Sequence, residues 1–182
     1  MSSHVGLEGI RIGKLALADE MMLLGGAMLA AQKLEFVLYG MASHLKEKNG
    51  KFKGLNPEEF LRGDGRKTRE TLGAIVKEFG ARLLIDGEDL NRLVSDRNLI
   101  AHNYWRLTKA NIRGGRRLVA PEDFLFGFTV RCEKFIGLCQ GWVAIAKKAA
   151  AEMEGREDDS PAQVETHIQA YLEHLAKRAV VK

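Results

Sequence analysis

Cysteine is scarce in this chain of 182 residues: there are two, Cys132 and Cys139. Both fall in one apolar stretch that reads as helix, where residues seven apart lie about 10 Å from each other, too far for a mutual disulfide. They are expected to be buried thiols in a reducing cytosol. No C-x-x-C, no H-E-x-x-H and no close His/Cys/Asp cluster occurs, so no metal site is expected. His167 and His174 share one helical face but stand too far apart to hold a metal without a third element. Nucleophile motifs built on Ser or Cys, a Walker loop and a dinucleotide fingerprint are missing too, and no cofactor is expected. Alternating runs long enough for a sheet are lacking, which leaves a helical fold. The apolar residues 21–31 are too few to span a bilayer and are interrupted by Gln32, Lys33 and Glu35. The first 13 residues show no export signal. A soluble, cytoplasmic protein without membrane contact is expected.

Prolines number three, and each stands where a helix should begin. Asn56-Pro57-Glu58-Glu59, Ala120-Pro121-Glu122-Asp123 and Ser160-Pro161-Ala162-Gln163 all put proline at the first helical position, followed by polar or acidic residues. The last also fits an S-x-x-Q capping box. They predict a short helix near 57–62, a long one from 121 to about 153, and a terminal one from 161 to about 178. Another helix is expected over 19–48, capped by Asp19 and stopped by Gly50, and a further one over 67–79, ending at Gly80. Apolar residues nearly encircle the first of these through Leu38, which predicts a central, mostly buried helix. Its Gly25, Gly26, Ala27, Ala30 and Ala31 form a small-residue patch that would let another backbone approach. The fold class is all-α: a bundle of about five to six helices in a single domain over 1–182, long enough to enclose a real core.

Lysine and arginine number 28 against 24 acidic residues, a net charge of +4, compatible with nucleic acid without requiring it. One basic cluster is local. Arg106, Lys109, Arg113, Arg116 and Arg117 surround Gly114-Gly115, a dipeptide suited to a tight turn, and predict a small β-hairpin insertion over 106–119. Such a hairpin is either a solvated excursion or a contact to an RNA backbone, since arginine holds phosphate bidentately. The segment Gly63-Asp64-Gly65-Arg66-Lys67 lacks phosphate-loop spacing, follows no strand and reads as a turn.

Between these segments lies the most informative helix, from Asp86 or Gly87 to about Trp105, with Asp86 as its cap and Glu88 and Asp89 in its first turn. Leu90, Leu93, Val94, Arg97, Ile100, Ala101 and Tyr104 follow the spacing of one buried stripe. Arg97 occupies a place where leucine would be expected. A guanidinium keeps its proton and is costly to bury alone, so it needs an anionic partner. Glu35, within the apolar part of the first helix, is one candidate; a solvent-edge position for Glu35 is equally open. Asn98 and His102 are four apart, no more than about 140° round the helix from Arg97, at one edge of the stripe. Arginine, carboxamide, imidazole and phenol along about two turns suit a phosphate ligand. The structural alternative is an interhelical salt bridge at Arg97 and an ordinary surface histidine.

Arg97-Asn98-x-x-x-His102 resembles the R-x4-H signature of HEPN domains, small all-α proteins that include many bacterial toxins and anti-phage ribonucleases. With Tyr104 it matches the R-x4-H-x-Y form of toxins paired with nucleotidyltransferase antitoxins. The likeness is specific over roughly residues 90–105 and architectural elsewhere. It implies a metal-independent endoribonuclease in which the RNA 2′-hydroxyl attacks the adjacent phosphate, leaving a 2′,3′-cyclic phosphate. His102 would move protons, Arg97 would hold the phosphate, and Asn98 would orient His102 or donate to the phosphate. Tyr104 would be the site of AMP attachment by a cognate antitoxin, its phenol opening toward the same cleft; the alternative is that it packs in the core with its hydroxyl satisfied by a neighbour. The resemblance also implies a homodimer with two motifs across one cleft. The alternative it allows is a non-catalytic binding or regulatory protein, such as a repressor-like module or an antitoxin or immunity partner. The chain is longer than minimal HEPN toxins by the 106–119 segment and the terminal helix, so the partner is not inherited from the family.

Overall fold

The computed structural model describes residues 17–45, 72–81, 88–109, 117–156 and 163–180. Every regular element among them is a helix: α1 (Leu17–Leu45), α2 (Leu72–Phe79), α3 (Glu88–Thr108), α4 (Pro121–Met153) and α5 (Gln163–Val180). The all-α expectation holds. The short helix expected near 57–62 lies outside the described residues.

Helix α4 is the spine, packing along α1 on one side and α5 on the other, while α2 and α3 close the bundle over α1. Pro121 opens it with Glu122 and Asp123 in its first turn, as the sequence predicts. Gly155 ends it: with φ at +66° it lets Arg156 N–H reach back to Ala151 O at 2.9 Å and its own N–H to Glu152 O at 3.2 Å. Those two bonds satisfy carbonyls that the last helical turn would otherwise leave open.

The core gathers Leu34, Leu38 and Tyr39 of α1, Ile75 and Phe79 of α2, Leu90 and Leu93 of α3, and Phe128 of α4. Tyr171 joins it from α5. Contact between α4 and α5 is close enough to require a glycine. A β-carbon on Gly141 would collide with the backbone carbonyl of His167 and lie 2.8 Å from Tyr171 Cβ. Cys132 and Cys139 are both free and buried on α4, and desolvation pushes each thiol up to about 12.

Two expectations need correction. Helix α1 is central, but its N-terminal half is not buried all round: Leu17, Met21, Met22 and Leu29 are exposed, and no side chain fills the space over Gly25 and Gly26. Leu17–Ala42 is long and apolar enough to cross a membrane by length and composition, a test that the core helix of a soluble protein also passes. The apolar residues encircling α1 outnumber the surfaces that the other described helices offer to cover it.

The β-hairpin expected over 106–119 does not begin where the sequence suggested. Arg106, Leu107 and Thr108 continue α3, because Leu107 extends the buried stripe of Ile100 and Tyr104 and Thr108 Oγ1 donates to Tyr104 O at 2.8 Å. Residues 110–116, with Arg113 and Arg116, lie outside the described residues, and 117–120 form no strand. Among the described residues, a backbone bond from Leu118 N–H to Leu107 O at 3.2 Å ties the returning chain to the end of α3.

Candidate functional site

Helix α3 carries the site because its two sides do different work. Leu90, Leu93, Ile100, Tyr104 and Leu107 face the bundle, and Asn98, Ala101, His102 and Trp105 face out. Arg97 lies between, its side chain 23% exposed. The guanidinium has two partners. Nη2 donates to Glu35 Oε2 at 3.5 Å, and Nη1 donates to Asn98 Oδ1 at 3.1 Å.

Glu35 is therefore the anionic partner that the apolar stripe called for, reached from α1 with a side chain 17% exposed. At 3.5 Å the pair is at the outer limit of a hydrogen bond and leaves part of the guanidinium open. Asn98 is spent on Arg97 rather than on His102, so its amide fixes the arginine head. His102 is exposed one turn further along.

Helical geometry separates the two principal residues more than their spacing suggests. His102 stands about 140° round the axis from Arg97, but only about 20° from Ser95 and 40° from Arg106. It thus belongs to the outer stripe with Ser95, Leu99 and Arg106, while Arg97 sits at the bundle edge. Their side chains therefore leave the helix in directions about 140° apart.

Tyr104 corrects the expectation of a phenol opening beside Arg97. It is buried, and its hydroxyl donates to Glu20 Oε1 of α1 at 2.9 Å. Glu20 in turn accepts a bond from Lys109 Nζ on its second oxygen. Glu20 is the one buried charged residue among those described. Its pKa is lowered, chiefly by the Lys109 bond and further by Tyr104, against the opposing effect of burial. Burial first, then the bond to Glu20, raises the Tyr104 hydroxyl above its ordinary value. The phenol turned inward because Tyr104 lies about 20° from Arg97 on the inner side, in line with Ile100 and Leu107. The proposed modification site is closed behind a carboxylate and an ammonium group.

The basic residues divide in the same way. Lys109 is committed to Glu20, whereas Arg106 and Arg117 are exposed. Arg106 Nε donates to Asn103 Oδ1 at 3.3 Å, a neutral partner. Sequence reasoning missed Glu20, and it missed the link between Asp96 of α3 and Arg131 of α4, with Nη2 to Oδ2 at 2.7 Å. Neither pairing has a local signature: the partners stand 84 and 35 residues apart.

Among the described residues, no group of three or more His, Cys, Asp or Glu side chains is arranged to hold a metal ion. Helix α3 itself presents a guanidinium, an imidazole and further arginines. No protein-family model, curated protein or solved structure matches this chain.

Proposed function

We propose that the chain is a HEPN-type endoribonuclease, working without a metal ion or cofactor as a toxin or phage-defence effector in the cytoplasm. The observation that carries this reading is Arg97, braced by Glu35 and Asn98 at the edge of α3, one turn from the exposed His102. In the reaction, His102 takes the proton from the RNA 2′-hydroxyl as that oxygen attacks the adjacent phosphorus. The bond to the 5′-oxygen breaks, and a proton returns to it from solvent or a second imidazole. Arg97 holds the charge that builds on the non-bridging oxygens. Because Arg97 and His102 of one helix diverge, the reading requires a homodimer, with His102 of one copy placed against Arg97 of the other. The uncharged outer positions Ala101 and Trp105 supply a surface on which two copies of α3 meet. RNA is the substrate, and a nucleotidyltransferase-type antitoxin is the regulatory partner the resemblance suggests.

The test is cleavage of a defined RNA by the purified protein, with the product end mapped. A 2′,3′-cyclic phosphate, formed in the presence of chelator and lost in both Arg97→Ala and His102→Ala, is the expected result. Cleavage that persists in His102→Ala would falsify the assignment.

A second reading has its own observation. Glu35 already neutralises Arg97, as a structural salt bridge would. In that reading the protein binds a partner without catalysis, and Arg97 only ties α3 to α1. Folded protein that cleaves no RNA at any pH, with Arg97→Ala less stable but unchanged in partner binding, would favour it.

A further inference from the structure

A pocket of about 610 Å³ opens on the outer stripe of α3, where the helix meets the segment that returns to α4. Its rim carries three arginines, Arg92 and Arg106 of α3 and Arg117 of the returning segment, together with Ser95. Leu99, Leu118 and Phe124 give it an apolar wall. The one acidic residue in the lining is Asp96, and Arg131 holds its carboxylate at 2.7 Å. Arg92 reaches that same carboxylate only at 4.0 Å. Three arginines thus line the pocket against one aspartate. A carboxylate ligand supplies one negative charge, while a phosphate monoester supplies close to two and presents three acceptor oxygens. Guanidinium forks match those oxygens bidentately. The volume is that of a small-molecule site, and a lining that joins one aromatic ring and three leucines to the arginines suits a ligand with a flat apolar body and an anionic end.

We propose that this pocket binds the phosphate of a nucleotide, with Arg92, Arg106 and Arg117 on the phosphate and Phe124 and its neighbouring leucines against the base. It shares Arg106 with the RNA-cleavage reading, and His102 borders its stripe, but phosphate binding here stands without any cleavage chemistry. Asp96, held by Arg131, is the one carboxylate in the lining. The ligand is either a free nucleotide or one unit of an RNA strand, which present the same chemistry.

The test uses full-length protein and calorimetry at low salt with three probes: inorganic phosphate, a nucleoside monophosphate and a short single-stranded oligoribonucleotide. Arg92→Gln and Arg106→Gln, both at exposed positions, are each expected to weaken nucleotide binding about tenfold, the scale of one charge-assisted contact. Phe124→Leu should weaken the nucleotide but leave inorganic phosphate unchanged. A monophosphate that binds more tightly than the oligonucleotide identifies a free nucleotide as the ligand, and the reverse order identifies a strand. Either order supports the site. Protein that binds the monophosphate but cleaves no RNA keeps this site and loses the ribonuclease reading, so the two failures are separable. No binding of monophosphate or oligonucleotide at about 1 mM overturns the proposal. So does equal binding of a phosphate-free acidic peptide, or affinity unchanged in both arginine variants.

Discussion

Tyr104 donates its hydroxyl hydrogen to Glu20 at 2.9 Å, joining the end of the motif helix to the start of α1 across 84 residues of sequence. With Lys109 on the other oxygen, the carboxylate keeps its charge in the interior because two donors replace the water it gave up.

That arrangement sets a pH dependence at both ends. Glu20 has a lowered pKa when folded, so its contribution is complete above the ordinary value of 4.5 and is lost as pH falls below it through the folded value. Tyr104 has a raised pKa, so its contribution is complete below the ordinary value of 10.0 and fades as pH rises above it. Tyr104→Phe is expected to cost about 1.5 kcal/mol at neutral pH, the scale of a bond to a charged group. It should also flatten the alkaline decline. Urea unfolding measured across the pH range checks both; an alkaline limb identical to that of the parent would contradict the bond.

Arg97→Ala and His102→Ala should differ in stability although the proposed reaction needs both residues. His102 is exposed and its loss is expected to stay within about 0.5 kcal/mol of the parent. Arg97 braces Glu35, and its loss should cost about 1 kcal/mol, the upper range for a pair still in contact with solvent. A double-mutant cycle with Glu35→Gln isolates that coupling. An additive cycle would mean that the 3.5 Å contact contributes nothing.

Gly141→Ala adds one methyl group where the backbone of α5 already lies. The expected loss is about 3 kcal/mol, at the top of the range for overpacking, because the obstacle is a carbonyl rather than a movable side chain. Gly26→Ala, facing empty space, should stabilise α1 by about 1 kcal/mol through helix propensity. Thermal melts of the two variants should move in opposite directions.

Native protein should resist thiol alkylation. Burial holds Cys132 and Cys139 at about 12, so neither forms thiolate near neutrality, and reagent must wait for the helix bundle to open. Mass spectrometry should find unmodified protein under native conditions and two labels in denaturant. Fast native labelling of either residue would place that thiol outside the core.

Legibility followed the range of the interactions involved. Pro121 fixed the start of α4 correctly because its effect is local, requiring only its own φ and the acidic turn after it. Glu35 was readable as a partner of Arg97 because each stood out as a charge in an apolar pattern. The inward place of Tyr104 was legible from the buried stripe, but its partner was not, since nothing local marks Glu20, 84 residues away. The burial of α1 was overestimated for a related reason: composition reports how much apolar surface a helix has, not whether a neighbour exists to cover it. His102 was joined to Arg97 by the R-x4-H resemblance, while the helix axis sets it nearer Ser95 and Arg106.

The bond from Leu118 N–H to Leu107 O has a bearing on how this chain can change. It clasps the two ends of the intervening segment, so the frame on either side does not feel the length of what is spliced between them. For a flexible insert, doubling that length adds only about 0.6 kcal/mol of closure entropy. Segments can therefore be grafted between Lys109 and Arg117, as tags, reporter loops or substituted basic sequences, while the helices keep their register and Lys109 keeps its bond to Glu20. The clasp makes this a place where the protein can be given a new surface without being asked to fold anew.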